Sequence, residues 1–431
     1  MSTTAQLKPT ANITLPLDIV ETISANLANF DLNKPLIHVE TTKYGGRGYF
    51  SSVRIPANTT VLSCDSPITS AVFRQYKKDT CAYCFKCDFH KPCKVRIAET
   101  TLLPSVFSAE LEKNKKIANA LKVSNKTAYA GLFFCSEQCR DDWAALEDPF
   151  GVLTVVLNLI DQSVPNRPKN LPNDVDDASM QRTKDDINKV YLDLAWENAL
   201  STAPATDSVS PATPSKKSKK AKLEIPYIDS AEHDNARIVA GIVVKTYVLA
   251  QLKAHENELD DNARSILAAY ADDFETFDDL QSNEQQLIQS FPALLDSHIT
   301  VYKFLAAVFD RTPFASYLTP SLFRQVLGKE AGNAFGIWQY PVFIESECLG
   351  SSIYPAPSFF NHACEHNIEK RRKGRKMEFV TTRDIDADQE LYISYGMFED
   401  LEVHERQKML FEQWHFKCGC PKCERQLKEI A

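Results

Sequence analysis

The sequence shows no excess of positive charge, no apolar run of membrane-spanning length and no visible secretory signal, so none is expected. Lys and Arg total 49 against 57 Asp and Glu, a formal net charge of -8, which argues against a wholesale nucleic-acid coat. The most apolar stretch, residues 238–252, contains Lys245 and is shorter than the ~20 residues that cross a bilayer. The first ten residues show no basic region followed by an apolar segment. The cysteines also lack the spacing to paired histidines that marks a DNA-reading finger. A soluble, intracellular protein is expected, with no membrane partner and nucleic acid not expected as a ligand.

What the chain does have is cysteine. Twelve occur in 431 residues, and in a reducing compartment clustered thiols are metal ligands or buried groups more often than disulfides. Cys418, Cys420 and Cys423 stand within six residues, with Gly419 and Pro421 bending the backbone between them. Tetrahedral zinc takes four ligands, so this segment supplies three and a fourth must come from elsewhere. Cys81 and Cys84 form a two-residue-spaced knuckle, and Cys135 and Cys139 open a predicted helix. These four make a second candidate zinc site. Cys87, His90 and Cys93 suit half of a further site or surplus loop thiols equally well.

The length allows two or three domains, and 44% hydrophobic content allows a sizeable core. A helix is expected over residues 17–30, then short strands between 37 and 64. Helical spacing is read at 112–121, 135–146, 153–161, 236–252, 263–277, 291–309 and 321–327. Residues 166–177 read as a loop. Residues 203–222 are rich in Pro, Ser and Lys and are expected to form a linker without a core of its own. Strand-like text returns at 334–340, 341–346, 377–385 and 390–395. A β-rich domain is therefore split by cysteine-bearing and helical material.

Four passages then fall in order: Tyr44 to Phe50 around Gly-Arg-Gly, Asn333-Ala-Phe335, residues 358–367 around Asn361-His362, and residues 388–396 ending in Tyr395-Gly396. Followed by Phe416-Lys-Cys418-Gly-Cys420, this order resembles SET-domain methyltransferases. The split by cysteines and helices is similar to the SET-and-MYND (SMYD) family and its fungal relatives, over roughly residues 36–150 and 295–425.

The resemblance implies an α+β fold: a β-rich SET domain split by a zinc-binding MYND-like insertion and a helical insertion, with a post-SET zinc site. It suggests an N-terminal extension at 1–35, SET parts at 36–75 and 301–405, and the MYND-like segment at 76–150. A mostly helical insertion would fill 151–300, with the linker near 203–226, and the zinc tail 406–431. The implied activity is S-adenosylmethionine-dependent methylation of a protein lysine, on a histone or another protein, in the nucleus and/or cytoplasm. Gly46, Arg47 and Gly48 would form the first cofactor loop. Asn361 and His362 would hold the adenosine and amino-acid portions, with Asn333 a further contact and Phe416 against the adenine edge. Cys364 would complete the zinc site of Cys418, Cys420 and Cys423. Tyr395 would stand at the mouth of the lysine channel as the catalytic residue, with Tyr354 and Phe359 as channel walls.

The pattern is departed from at Ala363 (usually serine), His366 (usually proline) and Asp388-Gln389-Glu390 (usually Gly-Glu-Glu). An alternative reading is therefore a SET-fold scaffold of weak or lost activity that binds protein partners. Two basic runs stand apart. Residues 216–222 suit an import signal or a solvated loop, and residues 370–376, with Gly374 at the turn, read as a charged hairpin tip.

Overall fold

A computed structural model describes residues 35–43, 46–97, 113–114, 117, 129–169, 186–201, 224–343 and 345–430. The helix expected at 17–30, most of that at 112–121 and the segment 203–222 lie outside them.

The chain opens on β1 (Ile37–Thr41) and β2 (Arg47–Ser51), an antiparallel pair, followed by β3 (Thr60–Cys64) and β4 (Thr69–Val72). Cysteine-bearing turns then lead, among the described residues, to eight α-helices. They are α1 (Glu137–Glu147), α2 (Val152–Ser163), α3 (Lys189–Ser201), α4 (Ser230–Ala254), α5 (Asp261–Asp278), α6 (Glu284–Ser290), α7 (Ala293–Phe309) and α8 (Pro320–Asn333). Strands resume as β5 (Ala334–Trp338), β6 (Cys348–Ile353), β7 (Asn361–His362), β8 (Ile368–Lys373), β9 (Lys376–Thr381) and β10 (Tyr392–Ile393). The tail carries α9 (Val403–Trp414) and α10 (Pro421–Ile430). Early strands complete sheets with late ones, in the orders β4-β6-β5 and β3-β9-β8. The split read from the sequence is thus present, and the α+β class with it.

Helix α4 is the central strut. Asp229 and Glu232 close a capping box at its start, satisfying two otherwise orphaned N–H donors. Val239, Ile242 and Val243 are among its fully buried side chains, each worth roughly 1.5–3 kcal/mol of apolar burial. It lies on β4, where the Thr69 hydroxyl donates to Ile238 O at 3.0 Å, and so fixes the helical insertion to the sheet.

Several expectations are corrected. The text at 341–346 forms no strand among its described residues, and Val342 and Phe343 are exposed. The true partner of β5 is β6, whose Gly and Ser residues hid it. It is central and buried, and a Cβ at Gly350 would lie 2.3 Å from Ala71 O. Helix α8 runs past residue 327 through Gly328, packed against Ser282 and Glu284, and Gly332, packed against Asn283. That packing offsets the ~1 kcal/mol helix penalty of each glycine. The run 370–376 lies mostly in β8, with Gly374 in the turn to β9 as read, but one of the turn's charges is buried. Arg375 is 4% exposed, because its charge meets a buried carboxylate, Glu147, at 2.9 Å.

Candidate active site and metal centres

The glycine loop at the start of β2, β7 and the approach to β10 meet at one point. Strand β10 runs parallel to β7, pairing Tyr392 with Asn361 and Ile393 with His362. Buried Asn367 fixes this register: its amide donates to Glu390 O at 2.9 Å and its Oδ1 accepts from Tyr392 N at 2.7 Å. The Asn361 amide donates to Arg47 O (3.1 Å) and to Glu390 Oε1 (2.9 Å). Gly48 packs directly on this group, since a Cβ there would fall 2.5 Å from Asn361 Nδ2 and 2.8 Å from Glu390 Oε1. Gly46 holds φ +79°, and a Cβ there would meet nothing within 4 Å, so the loop presents open space beside that group. Asp388, at the place of the usual glycine, keeps a left-handed backbone at φ 60°, a conformation aspartate tolerates better than most residues.

Tyr395 follows β10 in a bed of rings. Its ring centroid lies 5.4 Å from His362, 5.4 Å from Trp414 and 6.0 Å from Phe416. Its hydroxyl donates to Phe360 O at 3.1 Å. Burial pushes the phenol well above its ordinary value, so it stays protonated and donates. His362 Nδ1 accepts the Tyr395 N–H at 3.1 Å, while its Nε2 lies 3.5 Å from Cys364 Sγ. Burial lowers this imidazole to about 4, so it is neutral and its Nε2–H faces the thiol.

The thiols form two groups. Cys364, Cys418, Cys420 and Cys423 are all buried, with Sγ atoms within 4.8 Å of one another. Cys81, Cys84, Cys135 and Cys139 form the other, with Cys135 exposed. Sulfurs about 2.3 Å from a tetrahedral ion stand about 3.8 Å apart. Observed separations are 3.5 Å for Cys364–Cys423, 3.6 Å for Cys84–Cys135 and 3.5 Å for Cys135–Cys139. Both groups fit zinc in ligand type, number and spacing. Cys87, His90 and Cys93 join no ligand cluster among the described residues. Around the tail site, Arg406 Nη2 lies 3.5 Å from Cys423 Sγ. Gln407 clamps Cys418 through both its backbone N–H and C=O.

The SET domain family model matches residues 46–396. This chain belongs to the SET-domain family. It is 29% identical over 401 residues to the potential protein lysine methyltransferase SET6 of Saccharomyces cerevisiae, covering 92% of this chain and 97% of that protein. It is 31% identical over 157 residues to the histone-lysine N-methyltransferase SMYD3 of Mus musculus, covering 36% of this chain and 35% of that one. A solved SET domain of LSMT bound to lysine and AdoHcy aligns at TM-score 0.24 and 12% identity, over 93% of this chain and 58% of that one. That overlay is too loose to place any residue.

Within the SET domain, the assigned residues are not equally placed. Arg47, Gly48, Asn361, His362, Tyr395 and Phe416 are linked by the contacts above, and Gly46 precedes Arg47 in the same loop. Arg47 also lies over the Phe359 ring at 5.1 Å and pairs with Asp279 at the end of α5. Phe359 packs edge-on to Tyr49 at 6.0 Å, and Tyr49 against Phe360 at 4.7 Å, which joins it to the Tyr395 group. Asn333 differs. Its amide donates to Gln281 O and Lys329 O, so its side chain holds the turn after α5. The Tyr354 hydroxyl donates to Arg375 O, leaving only its ring for a channel wall. Glu390, Asn367 and Trp414 were assigned no role from the sequence. Glu390 and Asn367 stood inside quoted motifs, whereas Trp414 carried no signal. Gly48→Ala should push Asn361 off its two acceptors at a cost of about 1–3 kcal/mol. Calorimetric titration with S-adenosylmethionine should then read a Kd weakened at least about tenfold, and an unchanged Kd would count against this placement.

Proposed function

We propose that this SET-domain protein is an S-adenosylmethionine-dependent protein-lysine N-methyltransferase. The observation that carries the reading is the meeting of three sequence-distant passages, Gly46–Gly48, Asn361-His362 and Tyr395, beside a buried four-thiol cluster. The open side of Gly46 and the Asn361 backbone would receive the amino-acid portion, and Phe416 the adenine edge. When bound, S-adenosylmethionine supplies a methyl group on a positively charged sulfur.

The chain's own contribution is alignment and electrostatics. The Tyr395 hydroxyl donates a hydrogen bond to Phe360 O, so its oxygen lone pairs remain for weak C–H···O contacts to a transferring methyl. The acceptor lysine must be neutral, although its ordinary pKa is ~10.4. Apolar walls from Tyr49, Phe359 and the Tyr354 ring would disfavour the ammonium form by desolvation. Zinc at the tail would hold α9 and Phe416 over the site. The departures leave these groups intact: Ala363 is buried and donates its N–H to Ile393 O at 3.1 Å, with no assigned role resting on a hydroxyl there.

Histones are the first substrates to try, because SMYD3 is named for histone lysine. Residence in the nucleus and/or cytoplasm follows the same reading, and the lysine run at 216–222 is a candidate import signal. Loss of nuclear signal from a fluorescent fusion when those lysines become alanine would test it. For the activity, the zinc-loaded protein is incubated with deuteromethyl-labelled S-adenosylmethionine, histones and a cell extract, and lysines are mapped by mass spectrometry. Labelled lysines that vanish in Tyr395→Phe support methyl transfer. Cofactor binding without any labelled lysine favours the inactive scaffold.

A further inference from the structure

The turn between β8 and β9 consists of Gly374 and Arg375, with Lys373 paired to Lys376. Gly374 takes φ +64°, and a Cβ there would lie 3.5 Å from Cys84 O and 3.7 Å from Cys84 Cα. The SET hairpin therefore ends against the Cys81–Cys84 knuckle. From this turn the Arg375 guanidinium enters a buried junction where every donor nitrogen has an acceptor. Nε donates to Glu147 Oε1 (2.9 Å) and Ser66 Oγ (3.0 Å), Nη2 to Ser70 Oγ (3.0 Å), and Nη1 to Ala82 O (3.0 Å) and Tyr83 O (3.3 Å). Its plane also lies 4.9 Å from the Phe85 ring centroid.

These partners belong to both halves of one metal site. Ala82 and Tyr83 are the two residues between ligands Cys81 and Cys84. Glu147 ends α1, the helix whose first turn presents Cys139 and whose N-cap, Ser136, follows Cys135. Ser70 lies on β4, in the central SET sheet. One fork-shaped cation thus fixes the knuckle, the ligand helix and the sheet relative to one another, which a lysine point charge cannot do. Four thiolates around Zn²⁺ would leave a net charge of -2, and a nearby buried cation offsets it. At the tail cluster the nearby cation is Arg406, whose Nη2 lies 3.5 Å from Cys423 Sγ itself.

We propose that Arg375 is a positioning residue for the Cys81/Cys84/Cys135/Cys139 metal site, coupling its metal occupancy to the SET sheet. Neither half of the site is then preformed without the hairpin, although no atom of Arg375 is a ligand. The linkage is reciprocal, so loosening the fork must loosen the metal.

The test is zinc release from the full chain to excess chelator, followed with a metallochromic indicator. Cys139→Ser identifies which release phase belongs to this site. Removing an outer-shell partner typically costs 10–100-fold in metal affinity. Arg375→Met is expected to accelerate that phase by about the same factor and to leave the tail-site phase unchanged. Arg375→Lys keeps the charge and should fall between, and it decides the matter if the methionine variant does not fold. Glu147→Gln should act in the same direction and non-additively with Arg375→Met. Unchanged release of the Cys81-site metal in the lysine variant overturns the proposal, as does equal acceleration of both phases, which would mark general loosening.

Discussion

Cys364→Ser should remove one of two bound zinc ions and, with it, most cofactor affinity. Cys364 is the ligand outside the 418–423 segment, so it is the bond that ties the tail to the end of β7. Structural zinc contributes roughly 10–16 kcal/mol of apparent binding energy that is also folding energy. A serine in place of a thiolate forfeits much of that at a site built of four sulfurs. The consequence travels a short distance. His362 loses the thiolate its Nε2–H faces at 3.5 Å, and Phe416, two residues before Cys418, loses the anchor that sets it 6.2 Å from the His362 ring. Zinc counted by emission spectroscopy should fall from about two ions per chain to about one. S-adenosylmethionine affinity by calorimetry should weaken by about 100-fold or more, or about 2.7 kcal/mol. Cys348→Ser is the control: that thiol belongs to neither cluster and should change neither reading. Retention of both ions with unchanged cofactor affinity in Cys364→Ser would sink the link between metal and cofactor site.

The sequence disclosed the site better than the scaffold that holds it. Cysteine spacing is a local pattern with a geometric meaning, so both four-thiol groups were readable, the tail's fourth ligand only through the family resemblance. Asn361-His362 and the Tyr395 segment were readable for the same reason, as short ordered motifs. Non-local pairing was not. β6 comes so close to β4 at Gly350 that a side chain there would meet Ala71 O, and its Gly-Ser-Ser centre has no period to read. Residues 341–346 had the opposite fault: apolar text that stays exposed around a proline. Helices α3, α6, α9 and α10 were passed over, although Asn188 before α3 and Pro421 at the start of α10 carried usable start signals. Arg375 was the clearest loss. A lysine-arginine run at a turn looks solvated in one dimension, and only the fold shows Glu147 and two knuckle carbonyls waiting for one of its members. Asn333 is a different case: its motif suggests a cofactor contact, while its side-chain amide donates to the Gln281 and Lys329 carbonyls.

Tyr395→Phe should lower kcat for lysine methylation by about 100-fold, close to the loss of one preorganised polar group at a reaction centre. Cofactor affinity should change by less than about threefold, or under 0.7 kcal/mol. The two expectations differ because the ring and the hydroxyl do different work. The ring packs between His362, Trp414 and Phe416, and phenylalanine keeps all three contacts. The backbone N–H that His362 accepts is likewise untouched. What disappears is the oxygen, fixed by its bond to Phe360 O, and with it the acceptor for C–H···O contacts worth about 0.5–1 kcal/mol each. No proton transfer is asked of this phenol, because burial raises its pKa far above neutrality. The lost rate should therefore be the same at pH 7 and pH 9, which separates positioning from acid–base catalysis. Single-turnover rates at saturating cofactor and substrate are the measurement. A fall in kcat that shrinks or grows with pH would reassign Tyr395 to proton transfer, and a kcat within twofold of the parent would remove it from the reaction centre.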